Sequence, residues 1–218
     1  VAEQRYAPDG SPIALYATLG PLGEPELVHD AIPHGAEILE LGAGAGRVTH
    51  GLVALGHPVV AVDESEAMLE LIRGADPVLG DIETLALGRR FAVVLLASNF
   101  VNDADRARVR RYLQCCARHV APDGQVLVQG YPRDWSPSSD WSTVGDVRLR
   151  LRSFELDGAV LHGEMEYVVD GVQLLHRFDA FLVGEAQLDE ELAAAGLRRI
   201  RYVDEAGAWI EAAPNQSG

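Results

Sequence analysis

The chain has 218 residues, with 33 acidic and 18 basic side chains and a formal net charge of −15. A duplex or RNA partner demands many phosphate-neutralising cations, so this balance argues against nucleic acid as a partner. All 18 basic residues are Arg, and without Lys there is neither Schiff-base chemistry on the chain nor a P-loop lysine.

Residues 1–24 are rich in Gly, Pro and Tyr and read as an irregular arm with one short helix near 12–18. A second helix covers 24–32 and ends at Pro33. Short apolar runs follow at 37–41, 58–62, 77–80, 91–97 and 125–129, the texture of strands buried on both faces of a parallel sheet. Helical stretches at 46–55, 65–73 and 104–120 lie between them, and Pro122-Asp123-Gly124 reads as the turn opening the last of these strands. Cys115 and Cys116 sit side by side in the third helix, a spacing that makes no disulfide framework and no metal site. Strand and helix in alternation predict an α/β, doubly wound Rossmann-like sheet. From 147 the texture changes to strict alternation, with Asp157-Gly158 and Asp170-Gly171 as hairpin signals, and predicts an inserted antiparallel sheet. A helix at 187–195 and strands at 198–203 and 207–212 close the chain. There is no signal pattern and no long apolar run, so the expectation is a cytoplasmic protein that needs no membrane.

The chemistry-bearing segment is Glu40-Leu41-Gly42-Ala43-Gly44-Ala45-Gly46-Arg47, between the first buried strand and a helix. Glycines allow a tight turn and close approach of a ligand to the backbone. The spacing is G-x-G-x-G rather than the G-x-G-x-x-G of a dinucleotide site, and an acid precedes it. A carboxylate there would crowd a pyrophosphate but can accept from a ligand ammonium. Asp63 ends the second strand, where an acid can accept from two ribose hydroxyls. Met68 offers a soft surface to a purine, although its helical spacing with Leu69, Leu71 and Ile72 suits plain packing almost as well. Asp81 can accept from an adenine amino group, with the N–H of Ile82 donating to the ring. Glu83, two residues on, leaves that register open.

In this order the residues resemble a class I S-adenosylmethionine-dependent methyltransferase of the small-molecule type. The pattern runs from Glu37 to about Tyr131, with Ala97-Ser98-Asn99-Phe100 after the fourth strand and Leu188 to Trp209 as the closing helix and strand pair. The resemblance implies a seven-stranded sheet with the last strand antiparallel. It also implies S-adenosylmethionine as cofactor and S-adenosylhomocysteine as product. The cofactor-binding residues it points to are Glu40, Gly42, Ala43, Gly44, Gly46, Asp63, Glu64, Met68, Asp81, Ile82 and Ala97. The reaction would be in-line methyl transfer to an N or O nucleophile of a small molecule, such as a natural product or sugar metabolite. On this reading 1–34 is an arm or lid. Residues 35–131 and 184–218 form the cofactor-binding core, and 132–183 a substrate-side loop and β insert that could also carry a homodimer.

Several residues on the acceptor side are candidates. Tyr131, Trp135 and Trp141 follow the fifth strand, Asn99 follows the fourth, and Tyr6 and Tyr16 of the arm could fold over the cofactor. Asn102 suits helix capping equally well. If Leu156-Asp157-Gly158 is a three-residue hairpin loop, Arg152 faces His162, Arg150 faces Glu164 and Arg148 faces Glu166, while Leu149 faces Met165. If Asp170-Gly171 is a two-residue turn, Glu164 faces Arg177, His162 faces Asp179 and Met165 faces His176. One face is then a charge ladder. The other is apolar except for His176, which is either a general base or a satisfied core histidine. A cofactor-binding sensor or partner subunit without transferase activity is the rival reading, and a dehydrogenase is opposed by the glycine spacing and Glu40. Asp63→Ala should weaken S-adenosylmethionine by about 1–3 kcal/mol in calorimetry, since ribose hydroxyls lose their acceptor. Unchanged affinity would displace the ribose site from Asp63.

Overall fold

The computed structural model of the chain describes residues 6–8, 10 and 12–215. Two short helices, α1 (Ile13–Thr18) and α2 (Glu24–Ala31), precede the sheet. Its strands are β1 (Ile38–Leu41), β2 (Val59–Asp63), β3 (Asp76–Leu79), β4 (Phe91–Leu96) and β5 (Val120–Gln129), with β10 (Leu197–Tyr202) and β11 (Trp209–Pro214) added at the end of the chain. The order across the sheet is β10-β11-β5-β4-β1-β2-β3. The first five strands are parallel to one another, while β11 runs antiparallel to both β5 and β10. This is the α/β sheet that the apolar runs predicted, with the reversed last strand that the family resemblance implied.

β1 is buried at every position, as a central parallel strand must be when helices cover both faces. One face packs on α5 (Arg106–His119) and α6 (Glu185–Ala194), with Leu113, Cys116, Leu188 and Leu192 in the core. The other packs on α2 and α3 (Thr49–Ala54) through Val28, Ile32 and Leu52. α4 (Glu66–Leu69) follows β2, its first turn capped by Ser65, which accepts from the Met68 N–H. Both cysteines of α5 are buried as thiols, and burial pushes the Cys115 thiol up to about 11. Pro122-Asp123-Gly124 does not interrupt the chain before β5. The strand already begins at Val120, and the extra residues loop out as a bulge, since Phe91 pairs with Val120 but Val93 with Gln125. Among the described residues no helix is long and apolar enough to cross a bilayer.

A second sheet of four antiparallel strands comprises β6 (Ser142–Val144), β7 (Val147–Asp157), β8 (Val160–Val169) and β9 (Val172–Phe181). β6 lies in a stretch that reads as loop. The β8–β9 hairpin has the expected register: Glu164 faces Arg177, His162 faces Asp179 and Met165 faces His176. Its two-residue turn places Asp170 and Gly171 at positive φ, 50° and 76°, the primed geometry that matches strand twist.

The β7–β8 register differs from expectation. Asp157 pairs with Val160, so the loop is two residues, not three. That change alone moves the register by an odd number and would send every β7 side chain to the opposite face. A bulge at Arg152, between Leu151 and Ser153, restores the parity for the rest of the strand. The outcome is a shift of two: Arg150 faces Glu166, and Leu151 rather than Leu149 faces Met165. The charge ladder survives, with changed partners only between β7 and β8. Arg150 Nη2 lies 2.7 Å from Glu166, Arg177 Nε 2.9 Å from Glu164, and His162 Nδ1 2.7 Å from Asp179.

Asn102 joins the two sheets. It ends a 3-10 turn, Phe100–Asn102, and is 4% exposed. Its Nδ2 donates to the Phe181 carbonyl at 2.9 Å, and its Oδ1 accepts from the Tyr131 N–H at 3.0 Å. The helix cap is instead Asp105, which accepts from the N–H groups of Ala107 and Arg108. Asn102→Ala leaves two partly buried backbone groups unpaired. Urea unfolding should show a loss of about 1–3 kcal/mol; an unchanged midpoint and slope would mean that water replaces the amide.

Candidate functional site

Beyond the carboxyl ends of β1, β2 and β4 the sheet opens into a cleft of about 530 Å³. Its floor is the glycine loop. The N–H groups of Gly42 and Ala43 both donate to the Val62 carbonyl at 2.9 Å, and the Gly44 N–H donates to Asp63 Oδ2 at 2.8 Å. Asp63 Oδ1 accepts from the Ser65 N–H at 2.9 Å. Gly42 has φ +73°, and a Cβ there would lie 2.4 Å from the Phe100 ring, so only glycine satisfies both the turn and the aromatic wall.

Glu40 lies at the base of the cleft, 2% exposed, and accepts from Thr49 Oγ1 at 2.6 Å. Burial pushes its pKa up from 4.5 to about 7; the Thr49 hydrogen bond and the Arg47 guanidinium pull the other way, and Asp63 adds to the rise. Arg47, also at the cleft, pairs with the buried Glu24 and reaches Ser98 Oγ at 3.3 Å.

Most of the expected residues meet here. Glu40, Gly42, Ala43, Gly44, Asp63, Glu64, Met68, Asp81, Ile82 and Tyr16 all line the cleft. Met68 does so while packing on Ile13 and Ala45, so packing and cleft contact coincide. Asp81 Oδ1 is held by the Glu83 N–H at 2.8 Å.

Other expected residues are placed elsewhere. Gly46 is buried behind the loop, where a Cβ would meet the His50 ring at 2.6 Å. Ala97 packs in the core with Leu127 and Trp209. Asn99 holds a left-handed backbone, φ 60°, at the turn entry and is not among the cleft-lining residues. Tyr6 is 56% exposed and does not line the cleft. Trp141 is on the β insert, with the Arg148 and Arg150 guanidinium carbons 4.5 and 4.6 Å from its ring centroid. His176 sits on β9 opposite Met165; its Nδ1 is buried with no hydrogen-bond partner, and it lines no part of the cleft.

Tyr131 and Trp135 stack on each other with ring centroids 4.3 Å apart and line a second, smaller cavity. Phe100, Tyr112 and Arg108 are cleft residues that sequence reasoning missed. Tyr112 packs edge-on to Phe100 at 5.4 Å, and its helical spacing with Val109, Leu113 and Cys116 reads only as core. Tyr167, on the inner face of β8, is within electrostatic reach of Tyr16 and Tyr131, and burial holds its phenol well above the usual range.

Comparison with known proteins agrees with this geometry. Residues 38–124 match the family model described as a methyltransferase domain. The chain is 29% identical over 189 residues to the dTDP-3-amino-3,6-dideoxy-alpha-D-glucopyranose N,N-dimethyltransferase of Streptomyces fradiae, covering 78% of this chain and 73% of that protein. The CcbJ methyltransferase from Streptomyces caelestis superposes with a TM-score of 0.72 at 22% identity, over 97% of this chain and 94% of that one. CalS10 from Micromonospora echinaspora, an amino pentose methyltransferase solved with S-adenosylmethionine bound, superposes with a TM-score of 0.68 at 19% identity, over 94% and 93% of the two chains. At these identities the structural likeness speaks for the fold.

The raised pKa of Glu40 makes a stability statement for the ligand-free protein. The folded state holds that proton more tightly than the unfolded chain, so the stabilisation is fully present below pH 4.5 and is lost as pH rises through about 7. Glu40→Gln removes this dependence and should make the ligand-free protein more stable at pH 8 by up to about 3 kcal/mol, with little gain at pH 4.5. Urea titrations at the two pH values check it; equal stability of wild type and variant at pH 8 would place the Glu40 pKa near its ordinary value.

Proposed function

We propose that this chain, a class I S-adenosylmethionine-dependent methyltransferase by its domain and fold, methylates the amino nitrogen of a small molecule, an amino sugar or another amine-bearing natural product. The observation that carries this reading is the charge of the cleft. Six carboxylates line it (Glu40, Asp63, Glu64, Asp81, Glu83 and Asp103), against two guanidiniums. Arg47 is paired with Glu24, outside the six, and Arg108 with two of the six, Asp103 at 3.1 Å and Glu83 at 3.3 Å, so the balance stays acidic. Such a field attracts the cationic cofactor and a cationic amine alike.

Each cofactor contact has a physical basis. Glu40 would accept from the methionine ammonium, Asp63 and Glu64 would hold the ribose, and Met68, Ile82 and Asp81 would hold the adenine. The loop residues Gly42, Ala43 and Gly44 let the cofactor approach the backbone. Tyr16 closes the cleft from the arm, and Tyr131 and Trp135 stand on the acceptor side. The amine loses its proton to solvent, and its lone pair attacks the methyl carbon in line with the sulfonium. When bound, the cofactor would supply the electrophilic methyl group and leave as S-adenosylhomocysteine, the C–S electrons going to sulfur and the amine becoming a methylated ammonium. A neutral sulfide leaves without an acid. An amine also needs no strong base, and among the described cleft residues there is no histidine or cysteine to act as one. The protein's contribution is position and exclusion of water.

The insert supports pairing of two copies, since β9 is an edge strand with Val172 and Leu175 exposed. Sedimentation reads that directly. The central test is mass spectrometry after incubation with S-adenosylmethionine and paired acceptors, one bearing an amine and one a hydroxyl at the same carbon. The amine is expected to gain methyl groups and the alcohol none. Cofactor binding with no transfer to any amine would favour the silent sensor. Cofactor affinity should also tighten between pH 6 and 8 as Glu40 ionises, and Glu40→Gln should flatten that profile.

A further inference from the structure

The second cavity is separated from the cleft by one turn of chain. Within Phe100–Asn102, Phe100 faces the cleft while Val101 and Asn102 line a space of about 320 Å³ beyond β5. The partition is rigidly held. Arg106 donates to the carbonyls of Val101 at 2.7 Å and Asp103 at 2.9 Å, and its other nitrogens engage the buried Glu191. Asn102 ties the same turn to β9 and to Tyr131. Tyr16 of the cleft and Tyr131 of this space both lie within electrostatic reach of Tyr167, so the two cavities are neighbours.

The walls are flat and apolar: the stacked Tyr131 and Trp135, with Leu182, Leu188 and Ile210 around them. Only two charged residues line it, Arg133 and Glu185, and they cancel. Arg133 is already committed. It lies over the Tyr202 ring at 4.7 Å, donates to the Glu205 carbonyl at 3.1 Å and stands 3.8 Å from Glu185. It lies flat because Gly207 has no side chain; a Cβ there would come within 2.5 Å of Arg133 Nε. No guanidinium is free here to pair a phosphate, and the Glu185 carboxylate repels one.

We infer that this cavity is the subsite for the part of the acceptor remote from the methylated nitrogen, and that this part is an uncharged planar ring system, an aryl or fused-ring group, rather than a nucleoside diphosphate. The inference rests on the small-molecule methyltransferase reading. The volume suits it: an apolar cavity of about 150 Å³ already takes one benzene ring, and aromatic walls with few polar groups are what such rings bind.

The test is binding, independent of turnover. Protein saturated with S-adenosylhomocysteine is titrated with a naphthyl glucoside, methyl glucoside and thymidine diphosphate, followed by calorimetry and tryptophan fluorescence. The expected result is saturable binding of the naphthyl glucoside, at least tenfold tighter than either comparator, with quenching of fluorescence. Trp135→Ala should lower that affinity at least tenfold while S-adenosylhomocysteine affinity, which reports on folding, is unchanged. Arg133→Gln should leave the naphthyl affinity within about twofold. Equal binding of the naphthyl and methyl glucosides, or tighter binding of thymidine diphosphate lost in Arg133→Gln, overturns the inference. Methylation of amines without ring preference would do the same while leaving the proposed activity standing. Ring binding without any methylation would sink the activity alone.

Discussion

Three amide protons hold the site together. The N–H groups of Gly42, Ala43 and Gly44 all point at the end of the neighbouring strand, two to the Val62 carbonyl and one to the Asp63 carboxylate. This stitches the loop after β1 to the tip of β2 and sets the spacing between Glu40 and Asp63. It also requires positive φ at Gly42 and Gly44, which L side chains resist. The cleft therefore exists before any ligand arrives. Preorganisation matters for a reaction that depends on alignment more than on acid or base chemistry.

The same cleft stores an electrostatic cost. Six carboxylates converge on it, and Glu40 is so buried that its proton is lost only near neutrality. In the empty protein this opposes stability at physiological pH. A cationic cofactor would offset it, so the site is arranged to be more comfortable occupied than empty. The surrounding arginines relieve the imbalance only in part: Arg108 pairs with Asp103 and Glu83, and Arg111 with Glu83, while Arg47, which draws the Glu40 pKa down, is itself paired with Glu24 outside the six.

The β insert illustrates a different constraint. Its apolar face must meet the core, and side chains alternate between faces, so only registers of one parity are compatible with folding. The two-residue loop at Gly158-Ala159 violates that parity, and the bulge at Arg152 corrects it. Packing of Leu151, Leu161 and Ala180, each buried, selects the pairing over the turn's own preference.

What was legible in the sequence is what local chemistry dictates. Double-sided burial demands unbroken apolar strands, a tight turn against a ligand demands glycine, and an acid at a strand end is visible by position; hence β1, β2, β4, the second half of β5, the Gly42–Gly46 loop, Glu40 and Asp63 could be read directly. The Asp170-Gly171 hairpin belongs with them, since its two turn residues set its register. Tertiary structure decided whatever depends on how distant segments meet. Only packing could show that Phe100 and Tyr112 form a wall of the cleft, because aromatic residues at helical spacing look the same in core and site. Only the shifted β7 register could place Arg150 against Glu166 and beside Trp141, which lines neither cavity. His176 has the period of an inward residue in either case. Whether an inward residue reaches a cleft depends on which part of the core lies opposite, a relation between elements that no periodicity encodes.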